Sequence, residues 1–141
     1  MRPQTNMRRI TRDICVFNYL VGNTDNHIKN LSLFYGRDLK SIRLAPAYDI
    51  VSTQIYENST ENMALSINGI CNINEITRDS FEKAASQVGL GAKMAMKRFD
   101  AMVTGFFSAM TRAKEELKLQ GFEHVEQICE KIMQKGGISK V

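Results

Sequence analysis

The sequence predicts a mainly helical fold with one small β-hairpin near its front. Four stretches of the 141-residue chain repeat apolar residues at helical spacing, and a segment between the first two has hairpin signals. Hydrophobic residues make up 43% and charged residues 24% of the chain, which excludes collagen-like, coiled-coil and wholly disordered proteins. Because this length suits one self-sufficient core, we expect residues 1–141 to form a single domain.

The first predicted helix ends at Gly22, because glycine is the residue most often found directly after a helix end. The apolar residues of this helix recur at spacings of four, three and four residues: Ile10, Ile14, Phe17 and Val21. The following residues, 23–30, are polar except for Ile28. We therefore expect an ordered loop there.

The predicted hairpin follows that loop. Its strands are residues 31–35 and 42–44, and the turn begins at Gly36. Pro46 ends the second strand, and the polar residues 52–61 predict a mobile loop.

A further short strand is predicted at residues 63–67. It leads into Asn68-Gly69, which is a typical tight-turn pair.

The remaining residues have the helical period. Thr77 is the predicted N-cap of a second helix, and Gly89 and Gly91 separate that helix from a long one at about residues 92–119. A last helix closes at Gly136-Gly137. The residues expected to face inward are Phe81, Ala84, Ala85 and Val88 in the second helix, Phe99, Val103, Phe106 and Met110 in the third, and Phe122, Val125, Ile128 and Ile132 in the last.

Within the long helix, Gly105 is predicted to be a point of close packing, because a glycine lets another element approach the helix backbone.

Charge and cysteine content narrow the class of protein. The chain has 19 Lys and Arg against 15 Asp and Glu, a net charge of +4, and its basic residues are dispersed. This pattern favours solvated helix faces over a focused nucleic-acid surface. Cys15, Cys71 and Cys129 are odd in number and lack a C-x-x-C pair, which argues against a disulfide framework or a structural zinc site. Cys15 and Cys129 fall in apolar helical patterns and are expected to act as small buried hydrophobes.

No apolar segment approaches the roughly 18 residues of a membrane span, and the first residues lack the pattern of a signal peptide. We therefore expect a cytoplasmic protein that does not enter a membrane.

The segment that carries chemistry is residues 22–30 together with Asp49. Asp25 and Asn30 lie five residues apart in a loop, and Asp49 follows the next hairpin. Phosphoryl transfer needs one carboxylate to accept the proton of the attacking hydroxyl, and an amide oxygen and a second carboxylate to hold magnesium. Protein kinases have the same spacing in H-R-D-x-x-x-x-N, followed by the metal-binding Asp of D-F-G.

Other interpretations of this loop stay open on the residues alone. Asp and Asn are common loop residues, and their spacing is a weak motif without the helix before it and the hairpin after it. On chemistry alone, a hydrogen bond within the loop also accounts for His27. A carboxylate–histidine metal site at Asp25 and His27 is the weaker hypothesis, since no third ligand has recognisable spacing.

The segment Phe-Asn-Tyr-Leu-Val-Gly-Asn-Thr-Asp-Asn-His-Ile-Lys-Asn at residues 17–30 resembles the catalytic loop of HipA-type serine/threonine kinases, the toxin halves of bacterial toxin–antitoxin pairs. Residues 44–49 resemble the metal-binding segment of that family, and residues 63–69 resemble its strand and turn. The form D-x-H-x-x-N is shared with phosphatidylinositol kinases. The resemblance implies a protein-kinase-like C-terminal lobe.

By this resemblance Asp25 is the catalytic base, Asn30 and Asp49 bind Mg²⁺, and His27 lies beside the phosphates of ATP. The implied cofactors are ATP and Mg²⁺. Asn23 stands where conventional kinases have the His of H-R-D, and Ile50 follows Asp49 instead of Phe. Both departures agree with the HipA pattern.

The 24 residues before Asp25 contain no glycine-rich loop and no lysine–glutamate pair to grip the phosphates. We therefore expect a C-terminal lobe without its N-terminal lobe, which binds ATP weakly and is inactive alone. The resemblance implies a protein substrate among translation proteins such as aminoacyl-tRNA synthetases, and a helix-turn-helix antitoxin through which DNA is contacted only indirectly. The alternative is a non-catalytic partner-binding module, either a split-kinase subunit or a degenerate relic.

Overall fold

The computed structural model describes residues 3–141. It contains four α-helices and two two-stranded antiparallel sheets, and more than half of the residues are helical. The helices are α1 (Pro3–Val21), α2 (Arg78–Gln87), α3 (Ala92–Leu119) and α4 (Val125–Lys135), with short 3₁₀ helices at Ile28–Asn30 and Gly137–Lys140. The strands are β1 (Leu33–Tyr35), β2 (Ile42–Leu44), β3 (Asn62–Ile67) and β4 (Ile70–Asn72).

The predicted mainly helical fold is confirmed, with a second hairpin in addition to the predicted one. In the first hairpin Leu33 pairs with Leu44. In the second, β3 pairs with β4 across Asn68 and Gly69, whose φ angles of 54° and 78° give the left-handed turn that this pair favours. The strand predicted at residues 63–67 is therefore present, and β4 is its partner.

Helix α1 is longer than its apolar pattern predicts, and it packs on a different stripe. Val16, Tyr19 and Leu20 are buried, whereas Ile10 and Phe17, which were expected to face inward, are exposed. The face of α1 is set by Tyr19, which packs on α2 and donates a hydrogen bond from its hydroxyl to the Ile76 carbonyl at 3.1 Å. The helix ends as predicted, because Gly22 adopts a φ of +76°.

The main core joins α1, β3, α2, α3 and the C-terminal 3₁₀ helix. Its centre is a run of three aromatic rings, in which Phe81 lies 5.2 Å from Tyr19 and 5.1 Å from Phe99 between ring centroids. Burial raises the pKa of Tyr19 to about 12. Ala85, Leu90 and Ala95 form a smaller cluster where α2 meets α3.

The structure confirms several helix boundaries. Thr77 caps α2 in a capping box with Ser80, and Gly91 precedes α3. Phe122 was expected to face inward from the last helix, but it lies before α4 begins at Val125 and is 59% exposed. Val88 and Ile128 were also expected to face inward and are likewise exposed.

The polar segment 52–61, predicted to be a mobile loop, is tied to the rest of the fold. The side chain of Gln54 is buried and donates to the Thr60 carbonyl at 2.7 Å, and the Gln54 amide donates to the Gly22 carbonyl at 3.0 Å. Buried polar groups need partners, so these hydrogen bonds hold the segment against the end of α1.

The cysteines are all free, and two of them are half-buried. Burial raises the pKa of the Cys15 thiol to about 11, so this thiol is neutral at pH 7. Burial also raises the pKa of Cys129, while Cys71 is exposed. None of the described helices combines the length and the apolar character that a membrane span requires.

Gly137 is tightly surrounded by other atoms, whereas Gly105 is not. A Cβ at Gly137 would lie 2.5 Å from the Tyr19 carbonyl oxygen and 2.6 Å from the Tyr19 ring. A Cβ at Gly105 would meet nothing within 4 Å, so the prediction of close packing at Gly105 is wrong. The buried residues of α3 are instead Ala95, Met96, Phe99 and Phe106.

We expect Gly137→Ala to lower the free energy of unfolding by about 1–3 kcal/mol, because the added methyl overpacks the contact with Tyr19. The control Gly105→Ala should raise it by about 0.5–1 kcal/mol, because alanine favours the helical backbone. Urea denaturation followed by circular dichroism measures both changes. Equal effects of the two substitutions would contradict this account of the C-terminal packing.

Candidate active site

The loop that carries Asp25 begins at the buried side chain of Asn23, which is 1% exposed. Its amide nitrogen donates to Asn18 Oδ1 at 2.9 Å, and its Oδ1 accepts from the backbone amide of Asp25 at 3.2 Å. The same nitrogen also lies 3.4 Å from the carbonyl oxygen of Asp49. Asn23 therefore links the end of α1 to both segments that carry the predicted site.

A second group of hydrogen bonds centres on the hydroxyl of Thr53. It accepts from the Thr24 backbone amide at 2.9 Å, lies 2.7 Å from the Thr24 hydroxyl, and is 3.1 Å from the Gly22 carbonyl oxygen. Thr24 is buried, so these bonds satisfy polar groups that water does not reach. The loop is thereby fixed from the side of residues 52–61.

Strand β3 holds the loop from its other side. The Ala64 amide donates to the Thr24 carbonyl at 2.9 Å, and the Leu65 amide donates to Asn26 Oδ1 at 3.3 Å. Asn26 is 3% exposed and its Nδ2 has no hydrogen-bond partner in the described structure.

Asp25 projects from this fixed loop into solvent, with 68% of its side chain exposed. His27 Nε2 lies 3.8 Å from Asp25 Oδ1, and Asn30 Nδ2 donates to the Asp25 backbone carbonyl at 3.3 Å. The carboxylate is therefore accessible to a second molecule while its backbone is held on both sides. This combination suits a group that exchanges a proton with a substrate.

Asp49 is held against the same loop. Its φ of +56° is a left-handed conformation that few non-glycine residues adopt. Next to it, the Tyr48 hydroxyl donates to the Lys29 carbonyl at 2.9 Å, which ties the segment to the residue before Asn30. His27, Asn30 and Asp49 line one cavity of about 20 Å³.

The donor set at this cavity fits magnesium and phosphate. Asn30 uses its nitrogen for the Asp25 carbonyl, which leaves its oxygen for another partner, and the Asp49 carboxylate has no hydrogen bond or ion pair within residues 6–141. Oxygen ligands of this kind are those that Mg²⁺ prefers. His27 Nδ1 is buried without a partner in the described part of the chain, so it has capacity for a ligand.

The weaker hypothesis of a carboxylate–histidine metal site at Asp25 and His27 gains no support. No group of three or more His, Cys, Asp and Glu side chains within the described residues is arranged to hold a metal ion. A protein site for zinc needs at least three ligands, and two are present.

The sequence model of the family of HipA-like C-terminal domains matches residues 2–110 of this chain. The chain belongs to this family. The prediction made from the loop and the segment around Asp49 is therefore confirmed at the level of the family.

Among relatives, the chain is 31% identical over 115 residues to the putative kinase Y4mE of Sinorhizobium fredii, covering 82% of this chain and 27% of that protein. It is 30% identical over 104 residues to the putative kinase Y4dM of the same organism, covering 74% of this chain and 25% of that protein. The serine/threonine-protein kinase toxin HipA of Shewanella oneidensis is 36% identical over 76 residues, which is 54% of this chain and 17% of the toxin. The chain thus spans about a quarter of the length of the two putative kinases.

The fold matches a solved structure of the HipA, HipB and operator DNA complex of Shewanella oneidensis. The TM-score is 0.71 at 20% identity, over 94% of this chain and 31% of that one. The HipA-like domain family and its fold are therefore supported by both sequence and structure.

Sequence reasoning missed the residues that hold the site together. Asn23 was noted only as a departure from H-R-D, and Thr53 was placed in a mobile segment. No role was predicted for Asn26 or Tyr48. Their hydrogen-bond partners lie 16 to 39 residues away in most cases, so a local pattern carries no signal for them.

Thr53→Val tests whether the loop depends on the Thr53 hydroxyl. The substitution keeps the shape of the side chain but leaves the buried Thr24 amide without its acceptor, which we expect to cost about 1–3 kcal/mol. Hydrogen exchange should show faster exchange of the Thr24 amide, and urea denaturation should show the lower stability. Thr104→Val is the control, because its exposed hydroxyl bonds only within α3. Unchanged exchange at Thr24 would contradict the role of Thr53.

Proposed function

We propose that this chain is the C-terminal catalytic lobe of a HipA-like serine/threonine kinase, which transfers phosphate from Mg-ATP to a protein hydroxyl. The supporting observation is the convergence of Asp25, His27, Asn30 and Asp49 on one hydrogen-bonded unit at the end of α1. Phosphoryl transfer relies on positioning and charge stabilisation more than on covalent chemistry, and this unit supplies both.

Asp25 is the proposed catalytic base. Its exposed carboxylate accepts the proton of the substrate hydroxyl as that oxygen attacks the γ-phosphate. Asn23 and Asn30 bind the backbone N–H and C=O of Asp25, so the position of its backbone is fixed.

Asn30 and Asp49 are the proposed magnesium ligands, through the free amide oxygen and the carboxylate. A bound Mg²⁺ would neutralise charge on the phosphates. His27 is proposed to lie beside the phosphates of ATP, with its Nε2 3.8 Å from the Asp25 carboxylate. Because the Tyr48 and Asn23 hydrogen bonds cross between the two ligand segments, the ligands keep a constant separation.

We propose that residues 1–141 form one kinase-like lobe, and that the groups gripping the α- and β-phosphates come from another stretch of polypeptide. The chain matches about a quarter of the length of the putative kinases, and no glycine-rich loop precedes Asp25. Alone, the chain is expected to bind ATP weakly and to transfer phosphate poorly.

The proposed partners are a protein substrate of the translation apparatus, such as an aminoacyl-tRNA synthetase, and a helix-turn-helix antitoxin. The solved structure with the same fold is a complex of HipA with HipB and operator DNA. The net charge of +4 is small and dispersed, which favours DNA contact through the antitoxin instead of by this chain.

A non-catalytic partner-binding module is the second candidate function. The first hairpin favours it, because Phe34 and Tyr35 of β1 and Leu39 of the turn are exposed, while α1 packs against β2. Large apolar side chains grouped on a surface are typical of contact with another polypeptide.

Metal binding is tested with Mn²⁺ as a paramagnetic substitute for Mg²⁺, in the presence of ATP. We expect the amide signals of Asn30 and Asp49 to broaden most, because these residues supply the ligands. Asn30→Ala and Asp49→Ala should each weaken the effect roughly tenfold or more, while the exposed loop variant Glu57→Ala should not change it. Broadening that is unaffected by Asn30→Ala and Asp49→Ala would contradict the proposed metal pair.

Catalysis is tested in a chimera in which this chain replaces the structurally matching segment of the Shewanella oneidensis HipA. Asp25→Asn should lower phosphate transfer to protein by about 10²–10⁴-fold, because the amide cannot accept the proton. Glu57→Gln is the matched control on an exposed carboxylate. A folded chimera without activity would favour the non-catalytic module, and an active Asp25→Asn variant would exclude Asp25 as the base.

A further inference from the structure

An apolar cleft of about 490 Å³ lies between α1 and α2, and its lining includes none of the candidate site residues. Its floor is made of core side chains, among them Val16, Phe81 and Phe99. Leu33 and Val88 lie at the exposed end of the lining. The volume and the apolar walls are those of sites that bind small molecules.

The charged residues of this cleft are of one sign. Arg8 and Arg12 line it, and no acidic side chain does. Arg12 and Arg98 share the Asp13 carboxylate at 2.7 and 3.0 Å, whereas Arg8 donates to the Val88 carbonyl at 3.2 Å and contacts no carboxylate among the described residues. An anionic group at the mouth would therefore find Arg8 as its partner.

The hydrogen bond from Arg8 to Val88 favours a narrow ligand over a helix. This bond crosses from α1 to the end of α2, so a helix laid in the cleft would have to break it. An alkyl chain fits without that change.

We propose that this cleft binds a single-chain carboxylate amphiphile, such as a medium-chain fatty acid, with the carboxylate at Arg8 and the chain directed toward Phe81 and Phe99. The cleft includes none of Asp25, His27, Asn30 and Asp49, and Cys15 is the one lining residue that it shares with the small cavity beside Asp49. The observations that support this binding are the volume of the cleft, its apolar floor and the cationic Arg8 at its mouth.

Titration with sodium dodecanoate, below the concentration at which it forms micelles, tests the site. With ¹³C-labelled methionine methyl groups, we expect Met7 and Met96 to shift, because both line the cleft. Met110, which lies between α3 and α4, should not shift. Across octanoate, decanoate and dodecanoate, affinity should rise about fourfold for each added methylene until the cleft is full.

Two substitutions test separately the binding of the ligand's carboxylate and the binding of its alkyl chain. Arg8→Gln should weaken dodecanoate binding about tenfold and leave dodecanol binding unchanged, with Arg112→Gln on the exposed face of α3 as the control. Ala84→Phe should fill the cleft and weaken both ligands, with Ala113→Phe as its control. If Ala84→Phe lowers the melting temperature strongly, Val88→Trp at the mouth replaces it.

Three results would overturn the proposal: no binding of any of the three carboxylates, shifts at Met110 equal to those at Met96, or equal affinity for dodecanoate in Arg8→Gln and the unaltered chain. Binding of an amphipathic peptide in place of dodecanoate would show a polypeptide site and would also overturn it.

Discussion

The geometry of the candidate active site depends on the buried amide of Asn23. One side chain bonds the last turn of α1, the backbone of Asp25 and the carbonyl of Asp49. In a site without water, each of these bonds is expensive to lose, since the freed polar group finds no other partner. An aspartate at this position would place a charge beside the Asp49 carbonyl, and a leucine would leave three polar groups unpaired. The end of α1 is therefore linked through one residue to both the loop of Asp25 and the segment of Asp49.

Hydrogen bonds from buried groups explain how the Asp25 side chain can be exposed while its backbone has a fixed position. Thr53 and the backbone of β3 bind Thr24 from opposite sides, and Asn26 faces β3 as well. The exposed side chains of the loop are those of Asp25, Ile28 and Lys29, and His27 is partly exposed. Loops that carry function usually consist of this arrangement, with a rigid backbone and few projecting groups. The order of the loop thus comes from hydrogen bonds to distant elements and not from its own sequence.

The sequence was sufficient where the determining interactions are local. The N-cap at Thr77, the turn at Asn68 and the helix end at Gly22 depend on neighbours within a few residues, and all three are as predicted. The resemblance of residues 17–30 and 44–49 to segments of HipA-type kinases also indicated the family that residues 2–110 match. The predictions that were wrong have a common cause. They concern the stripe on which α1 packs, the segment that contains Gln54 and the surroundings of Gly105, all of which depend on which elements meet in three dimensions. A helical period identifies a helix, whereas tertiary contacts decide which of two adjacent stripes is buried.

The first hairpin by itself would not keep the two proposed metal ligands, Asn30 and Asp49, at a constant separation. Its two short strands connect Asn30 to Asp49, and a two-stranded hairpin with exposed side chains is marginally stable by itself. If the separation of the two proposed metal ligands depended on the hairpin, opening of its strands would separate them. The Tyr48 bond to the Lys29 carbonyl and the Asn23 bond to the Asp49 carbonyl instead join the two segments directly at the base of the hairpin. The two proposed ligands are therefore linked independently of the pairing between the two strands.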